Sequence, residues 1–156
     1  MGIEIERKFL VAGTSWQEKA TAVRCCQGYL CPGSGITVRV RTMGEQGWLT
    51  VKGRGEGLVR REYEYPISVT EAREMLAEVC VKPLIVKDRY RVEHDGLVWE
   101  VDVFAGENSG LVLAEVELAH PDQAISLPGW VGREVSGDPR YFNAALVGNP
   151  YSRWRE

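Results

Sequence analysis

Charged residues recur along this chain in pairs two positions apart. They are Glu4/Glu6, Arg39/Arg41, Glu62/Glu64, Lys87/Arg89, Glu100/Asp102 and Glu115/Glu117, with Lys8 and Lys52 added. On a β-strand that spacing puts both members on one face. Gathered round one space, Lys8, Arg39, Arg41, Lys52, Lys87 and Arg89 would suit an anion with several phosphate oxygens, which arginine grips bidentately and lysine meets as a mobile point charge. Carboxylates beside such an anion repel it, so their natural task is to hold Mg²⁺ or Mn²⁺, hard cations that bridge carboxylate to phosphate. A carboxylate could also orient an attacking water. No Walker-type glycine loop offers another phosphate cradle.

The elements that would position these residues follow from the alternation around them. In the opening strand Ile3, Ile5, Phe9 and Val11 take the parity opposite to Glu4, Glu6 and Lys8. Strands are expected over 23–30, 36–42, 48–52, 59–65, 84–93, 97–104 and 111–119, with a short last one at 131–135. Met43 to Gly47 and His94-Asp95-Gly96 read as hairpin turns, and the run from Cys31 to Gly35 ends a strand. Pro66 should end its strand or place it at an edge. The clearest helix starts at Thr70, taken as its N-cap, with Ala72, Met75, Leu76 and Val79 as its apolar stripe. Shorter helices are expected at 15–21, 121–124 and 141–147.

Seven or eight strands joined by short turns suggest an antiparallel meander closed into a barrel, an α+β fold that is mainly β with a few flanking helices. Parity leaves the direction of the charges open. Facing water, they would leave an apolar interior like that of a small lipid binder. Facing inward, they would line a wet, charged tunnel, at the cost of desolvating each charge unless partners, water or a ligand compensate.

The chain has 156 residues, 44% of them hydrophobic and 26% charged, which suits one soluble domain over 1–156. A net charge of -3 speaks against a nucleic-acid partner. No apolar run is long enough for a membrane helix and no signal-peptide pattern opens the chain, so a cytoplasmic protein with no membrane partner is expected. Cys25, Cys26, Cys31 and Cys80 form no C-x-x-C pair, and His94 and His120 stand alone, so a zinc site is not expected.

Taken together, Glu4-x-Glu6-x-Lys8, Arg39-x-Arg41, Lys52, Glu62-x-Glu64, Lys87-x-Arg89, Glu100-x-Asp102 and Glu115-x-Glu117 resemble, in order, the signature of the CYTH superfamily, the triphosphate tunnel metalloenzymes. Gly132-Arg133-Glu134-Val135-Ser136 and Arg140-Tyr141-Phe142-Asn143 resemble its C-terminal signature, and Gln27-Gly28-Tyr29-Leu30 a segment of short bacterial members of the inorganic triphosphatase type. The resemblance implies an eight-stranded antiparallel tunnel with its charges inside, acting on a small-molecule triphosphate with a divalent metal. It also allows a homodimer.

By the same resemblance the six basic residues would bind phosphate, with Lys87 doubling as a catalytic candidate. Glu115 and Glu117, with Glu4 and Glu6, would form the metal and water side. Glu62, Glu64 and Asp102 would add acidic lining or hold the basic residues in place. Tyr29, among cations, would be favoured as a base, or would simply pack at a strand end. The C-terminal helical domain of longer relatives is not expected. Thr37 replaces the aromatic residue that precedes the arginine pair in thiamine triphosphatases, with Trp48 or Trp99 as substitutes. Inorganic tripolyphosphate is the favoured substrate. The alternatives are a thiamine or nucleoside triphosphatase, a class IV-type adenylate cyclase, and a non-catalytic polyphosphate-binding module.

Overall fold

Strand β1 (Gly2–Val11) closes the sheet, because it has a partner on each side. Toward β5 (Val59–Ile67), Gly2 lies opposite Glu62 and Ile5 opposite Val59. Toward β8 (Val112–Glu117), Glu6 lies opposite Glu117 and Lys8 opposite Glu115. Between them run β4 (Gln46–Lys52), β3 (Thr37–Met43), β2 (Ala22–Leu30), β6 (Ile85–His94) and β7 (Leu97–Phe104), in the order β1-β5-β4-β3-β2-β6-β7-β8 and back to β1. The computed structural model, which describes residues 2–18, 20–30 and 35–154, is therefore a closed eight-stranded antiparallel barrel. A ninth strand, β9 (Val131–Glu134), is laid along the C-terminal half of β1. No described helix is long and apolar enough to cross a membrane.

The charged parity faces inward, so the apolar parity needs cover from outside. Phe9, Trp99, Val101, Ala114 and Val116 form one outer cluster, sealed by Trp16 and by Leu118, Ile125 and Trp130 of the segment leading to β9. A second outer cluster sets Val40 against Ala72, Leu76 and Cys80, under helix α1 (Val69–Glu78). Gly47 lets α1 approach β4, since a Cβ there would lie 2.9 Å from the Cβ of Ala72. A third cluster fills one end of the barrel itself. There Tyr29, Ile85, Phe104 and Leu113 point inward and meet Tyr141, Leu146 and Val147 of the C-terminal segment and helix α2 (Asn143–Gly148).

The Asp95-Gly96 hairpin turns as expected, with φ of 50° and 78° at its two central residues, the type I′ pattern that suits strand twist. Pro66 lies inside β5, opposite Trp48. The pairing of β1 with β5 stops at Glu62, so the missing N–H of Pro66 leaves no gap in that ladder. Of the expected short helices, 15–21 shrinks to a 3-10 turn at Ser15–Gln17, and 141–147 becomes a 3-10 turn at Pro139–Tyr141 followed by α2. Residues 121–124 form no helix. Cys31 and most of its expected turn lie outside the described residues.

The cap of α1 is Ser68, not Thr70. Ser68 Oγ accepts the Glu71 N–H at 3.0 Å, and the Ser68 hydroxyl donates to the Glu71 carboxylate at 3.4 Å, in a Ser-x-x-Glu sequence. Val79 terminates the helix and is 56% exposed, so the apolar stripe ends at Leu76. Ser68→Ala should lower the unfolding free energy in urea by about 1 kcal/mol. Thr70→Ala should stay within about 0.5 kcal/mol of the parent. Equal losses would return the cap to Thr70.

Candidate active site

The interior of the barrel is a cavity of about 880 Å³. Its wall is divided by charge. Going round the barrel, β4, β3, β2 and β6 are consecutive and bring Lys52, Arg39, Arg41, Lys87 and Arg89. The other four strands, β7, β8, β1 and β5, are also consecutive and bring Glu100, Glu115, Glu117, Glu4, Glu6, Glu62 and Glu64. Among the described residues of the acidic half, Lys8 on β1 and Arg60 on β5 are the cations that line the cavity. All candidate site residues line this cavity except Asp102, which is wholly buried behind it.

Asp102 is paired with two of the basic residues. Its Oδ2 lies 2.8 Å from Lys87 Nζ, and Arg89 meets it with two bonds of 2.8 Å each. Burial alone would push its pKa up, yet the two cations hold it below the usual carboxylate range. Burial pushes the Lys87 ammonium down, in spite of Asp102. For Arg89 the balance goes the other way. Burial opposes the charged form, but the bonded Asp102 raises its pKa well above the ordinary value.

Each of the other four candidate cations, Lys8, Lys52, Arg39 and Arg41, also has a carboxylate partner. Lys8 Nζ donates to the Tyr141 carbonyl at 3.1 Å and stands 3.5 Å from Glu115. Lys52 Nζ bonds both oxygens of Glu4, at 3.0 and 3.1 Å, and stands 3.5 Å from Glu62. Arg39 and Arg41 share Glu64, at 3.4 and 3.7 Å, and the Thr50 hydroxyl donates to the same carboxylate at 2.9 Å. The Nε–H groups of both arginines are buried and have no hydrogen-bond partner. Burial and the neighbouring Arg39 and Arg89 together push Arg41 below its ordinary value. Two buried guanidinium donors side by side, each with an unused N–H, are groups that an anion in the cavity would satisfy.

The carboxylates separate into two kinds. Glu115 resists its burial because Lys8, Arg89 and Lys87 pull it well below its usual value, so it is already neutralised. Glu6 has no such partner, and burial, Glu115 and Glu4 raise it well above the ordinary range. Burial and Glu4 raise Glu62, while burial, Glu4 and Glu100 raise Glu117. Among the described residues no three acidic, histidine or cysteine side chains already converge as a metal site. The donor chemistry nevertheless fits a hard divalent cation, since the charge of Glu4 raises Glu6, Glu62 and Glu117 and a cation among them would relieve that repulsion.

Of the two tryptophans considered as stacking platforms, Trp99 faces away from the cavity, whereas Trp48 is opposite Arg41 on the inward face of its strand. Trp99 belongs to the outer cluster, 5.5 Å from Phe9 and 5.8 Å from Trp130, and Trp48 lies against Arg41 with its ring 6.0 Å from the guanidinium. Thr37 accepts a bond from Arg60 at 3.2 Å. Sequence reasoning missed Gln27 and Asn143, which touch Tyr29 and Lys87. Gln27 stood inside the Gln27-Gly28-Tyr29-Leu30 segment, on the parity of Tyr29, and Asn143 inside the C-terminal string, both without a role.

Residues 2–142 match the family described as the CYTH domain. The chain is 49% identical over 156 residues to an inorganic triphosphatase of Acetivibrio thermocellus, covering 100% of both chains. It is 46% identical over 148 residues to an inorganic triphosphatase of Nitrosomonas europaea, covering 92% of this chain and 96% of that one. A solved crystal structure of an inorganic triphosphatase superposes with a TM-score of 0.67 at 41% identity, over 92% of this chain and 93% of the other.

Glu6 sets a pH test. A carboxyl whose pKa is raised by folding contributes stability below its unfolded pKa and loses it as pH rises through the folded value. In chelator-treated protein Glu6→Gln should therefore melt higher than the parent at about pH 8, and the two should converge at about pH 4. Thermal unfolding across that range checks it, and a variant less stable than the parent at the alkaline end contradicts it.

Proposed function

The chain belongs to the CYTH domain family, and from that premise we propose that its cavity hydrolyses inorganic tripolyphosphate to pyrophosphate and phosphate with a divalent metal. The observation that carries the reading is the division of the wall. One half presents cations, including two buried arginine Nε–H groups with no partner, and the other half presents carboxylates in excess. A linear anion with several phosphates complements the first half, and a metal shared between phosphate oxygens and carboxylate complements the second.

In this reading the ion pairs of the cavity are stand-ins. Glu64 occupies Arg39 and Arg41 until phosphate oxygens replace it, and Glu4 and Glu62 occupy Lys52 in the same way. Binding exchanges partners rather than stripping bare charges. The freed Glu4 and Glu62, with Glu6 and Glu117, are the residues that would hold Mg²⁺ or Mn²⁺, whose chemistry is to neutralise charge on the phosphate oxygens and lower the pKa of bound water. Lys8, Lys87 and Arg89 would grip the phosphates from the inner end, the last two kept in place by Asp102. The catalytic side would combine Glu4 and Glu6 with Lys87 and Tyr29. Trp99 is turned away from the cavity and Trp48 is engaged by Arg41, so neither stands free to stack a base or a thiazole ring, which supports the inorganic substrate.

Phosphate release should be measured from tripolyphosphate, pyrophosphate, thiamine triphosphate and ATP, each with Mg²⁺ and Mn²⁺. Tripolyphosphate should turn over fastest, and Glu4→Gln, Glu117→Gln and Lys52→Ala should each lose about a hundredfold or more in kcat/KM. Full turnover in all three variants would remove the assignment. Cyclic AMP from ATP would replace it with a cyclase, and tight tripolyphosphate binding without hydrolysis would replace it with a binding module.

A further inference from the structure

Behind the inner end of the cavity a short hydrogen-bond chain has a direction fixed at one end. Lys87 Nζ donates to Asn143 Oδ1 at 2.9 Å. An ammonium has donors only, so the oxygen of the Asn143 amide, not its nitrogen, has to face it. That same oxygen accepts from Gln27 Nε2 at 3.3 Å. Gln27 therefore presents its amino group on this side, and it donates to the Tyr29 hydroxyl oxygen at 2.7 Å. The Gln27 carbonyl is turned to the thiol of Cys25, at 3.6 Å. Reversing either amide would set a donor against a donor or an oxygen against an oxygen, so the buried ammonium dictates the orientation of all three groups.

Tyr29 lines the cavity while its ring is packed with Ile85, Phe104 and Leu113. Because its oxygen already accepts from the wall, its proton is left for a partner in the cavity. The proposed occupant offers acceptor oxygens and negative charge, and a phenolate there would meet it with like charge. We propose that Gln27 and Asn143 are positioning residues that lock Tyr29 as a hydrogen-bond donor to a phosphoryl oxygen of the substrate, in place of the base role that its cationic surroundings suggest. A hydroxyl that accepts one bond donates a stronger one, and a fixed donor is most effective where charge develops on oxygen. The inference rests on the triphosphatase reading and names two residues that reading does not use.

Gln27→Glu tests it, since a carboxylate in place of the amide can only accept. It would draw the Tyr29 proton toward itself and away from the cavity. Gln27→Glu and Tyr29→Phe should each lower kcat by about ten- to a hundredfold with less change in KM, and the double variant should be no worse than either single one. Asn143→Asp keeps an acceptor for Lys87 and Gln27 and should retain about ten times the kcat of Asn143→Leu or more. The Cζ carbon resonance of Tyr29 in tyrosine-labelled protein should move downfield in Gln27→Glu, as the hydroxyl turns to donate to the carboxylate.

Parental kcat in Gln27→Glu, losses that multiply in the double variant, or equal losses in the two Asn143 variants would overturn the proposal. If Gln27→Glu does not fold, the two Asn143 variants decide alone. If the parent protein releases no phosphate at all, the triphosphatase reading fails instead, and the Tyr29 resonance still decides the direction of the chain, an unmoved signal counting against it.

Discussion

The inverted barrel depends on one buried junction, in which Asp102 binds Lys87 at 2.8 Å and Arg89 through two bonds of 2.8 Å. Charges removed from water cost several kcal/mol each, after relaxation, unless they are paired and hydrogen-bonded. Asp102 is on β7 and its partners are on β6, which is where the basic half of the wall meets the acidic half. The other boundary lies between β4 and β5, and it is joined in the same manner, by Lys52 with Glu62 and by Thr50 with Glu64. Both boundaries are ion-paired or hydrogen-bonded across neighbouring strands, so two regions of opposite charge can face one another over a cavity without either being stranded.

Turning the charges inward displaces the hydrophobic core. A barrel of this size commonly fills its centre with apolar side chains, whereas here the burial is shared between two clusters outside the wall and one that plugs an end of the barrel. Each cluster needs a segment of chain that is not a barrel strand: α1 over β3 and β4, the stretch before β9 over β7 and β8, and α2 at one end. The helices and long connections are thus what the inverted wall requires in order to exclude water from its outer face.

Alternation in the sequence is enough to pair Glu4 with Glu6 and Arg39 with Arg41, and to find nearly every strand. It cannot say which face is inside, because a period of two looks the same from either side; the family signature supplied that. Local signals failed where two readings competed, as at Ser68 and Thr70, where the Ser-x-x-Glu spacing outweighed a threonine nearer the apolar run. The contacts of Gln27 and Asn143 were illegible for a different reason. They lie 116 residues apart, and the link between them exists only once α2 is docked at the end of the barrel. The split roles of the carboxylates were hidden in the same way, since Glu6 and Glu115 differ by the cations that happen to stand near them and not by residue type.

The first strand is held by the last part of the fold. Arg7 pairs with Glu134 at 2.7 Å, the backbone N–H of Lys8 donates to Ser136 Oγ at 2.9 Å, and Lys8 Nζ reaches the Tyr141 carbonyl at 3.1 Å, across separations of 127, 128 and 133 residues. Such contacts close nearly the whole chain into a loop, the slowest kind of contact to form during folding. Glu4, Glu6 and Lys8 are made before the segment around residue 141, so their strand lacks these three contacts until that segment has followed. A chain cut before Glu134 therefore carries every charged pair of the lining without the clasp that holds β1 in place.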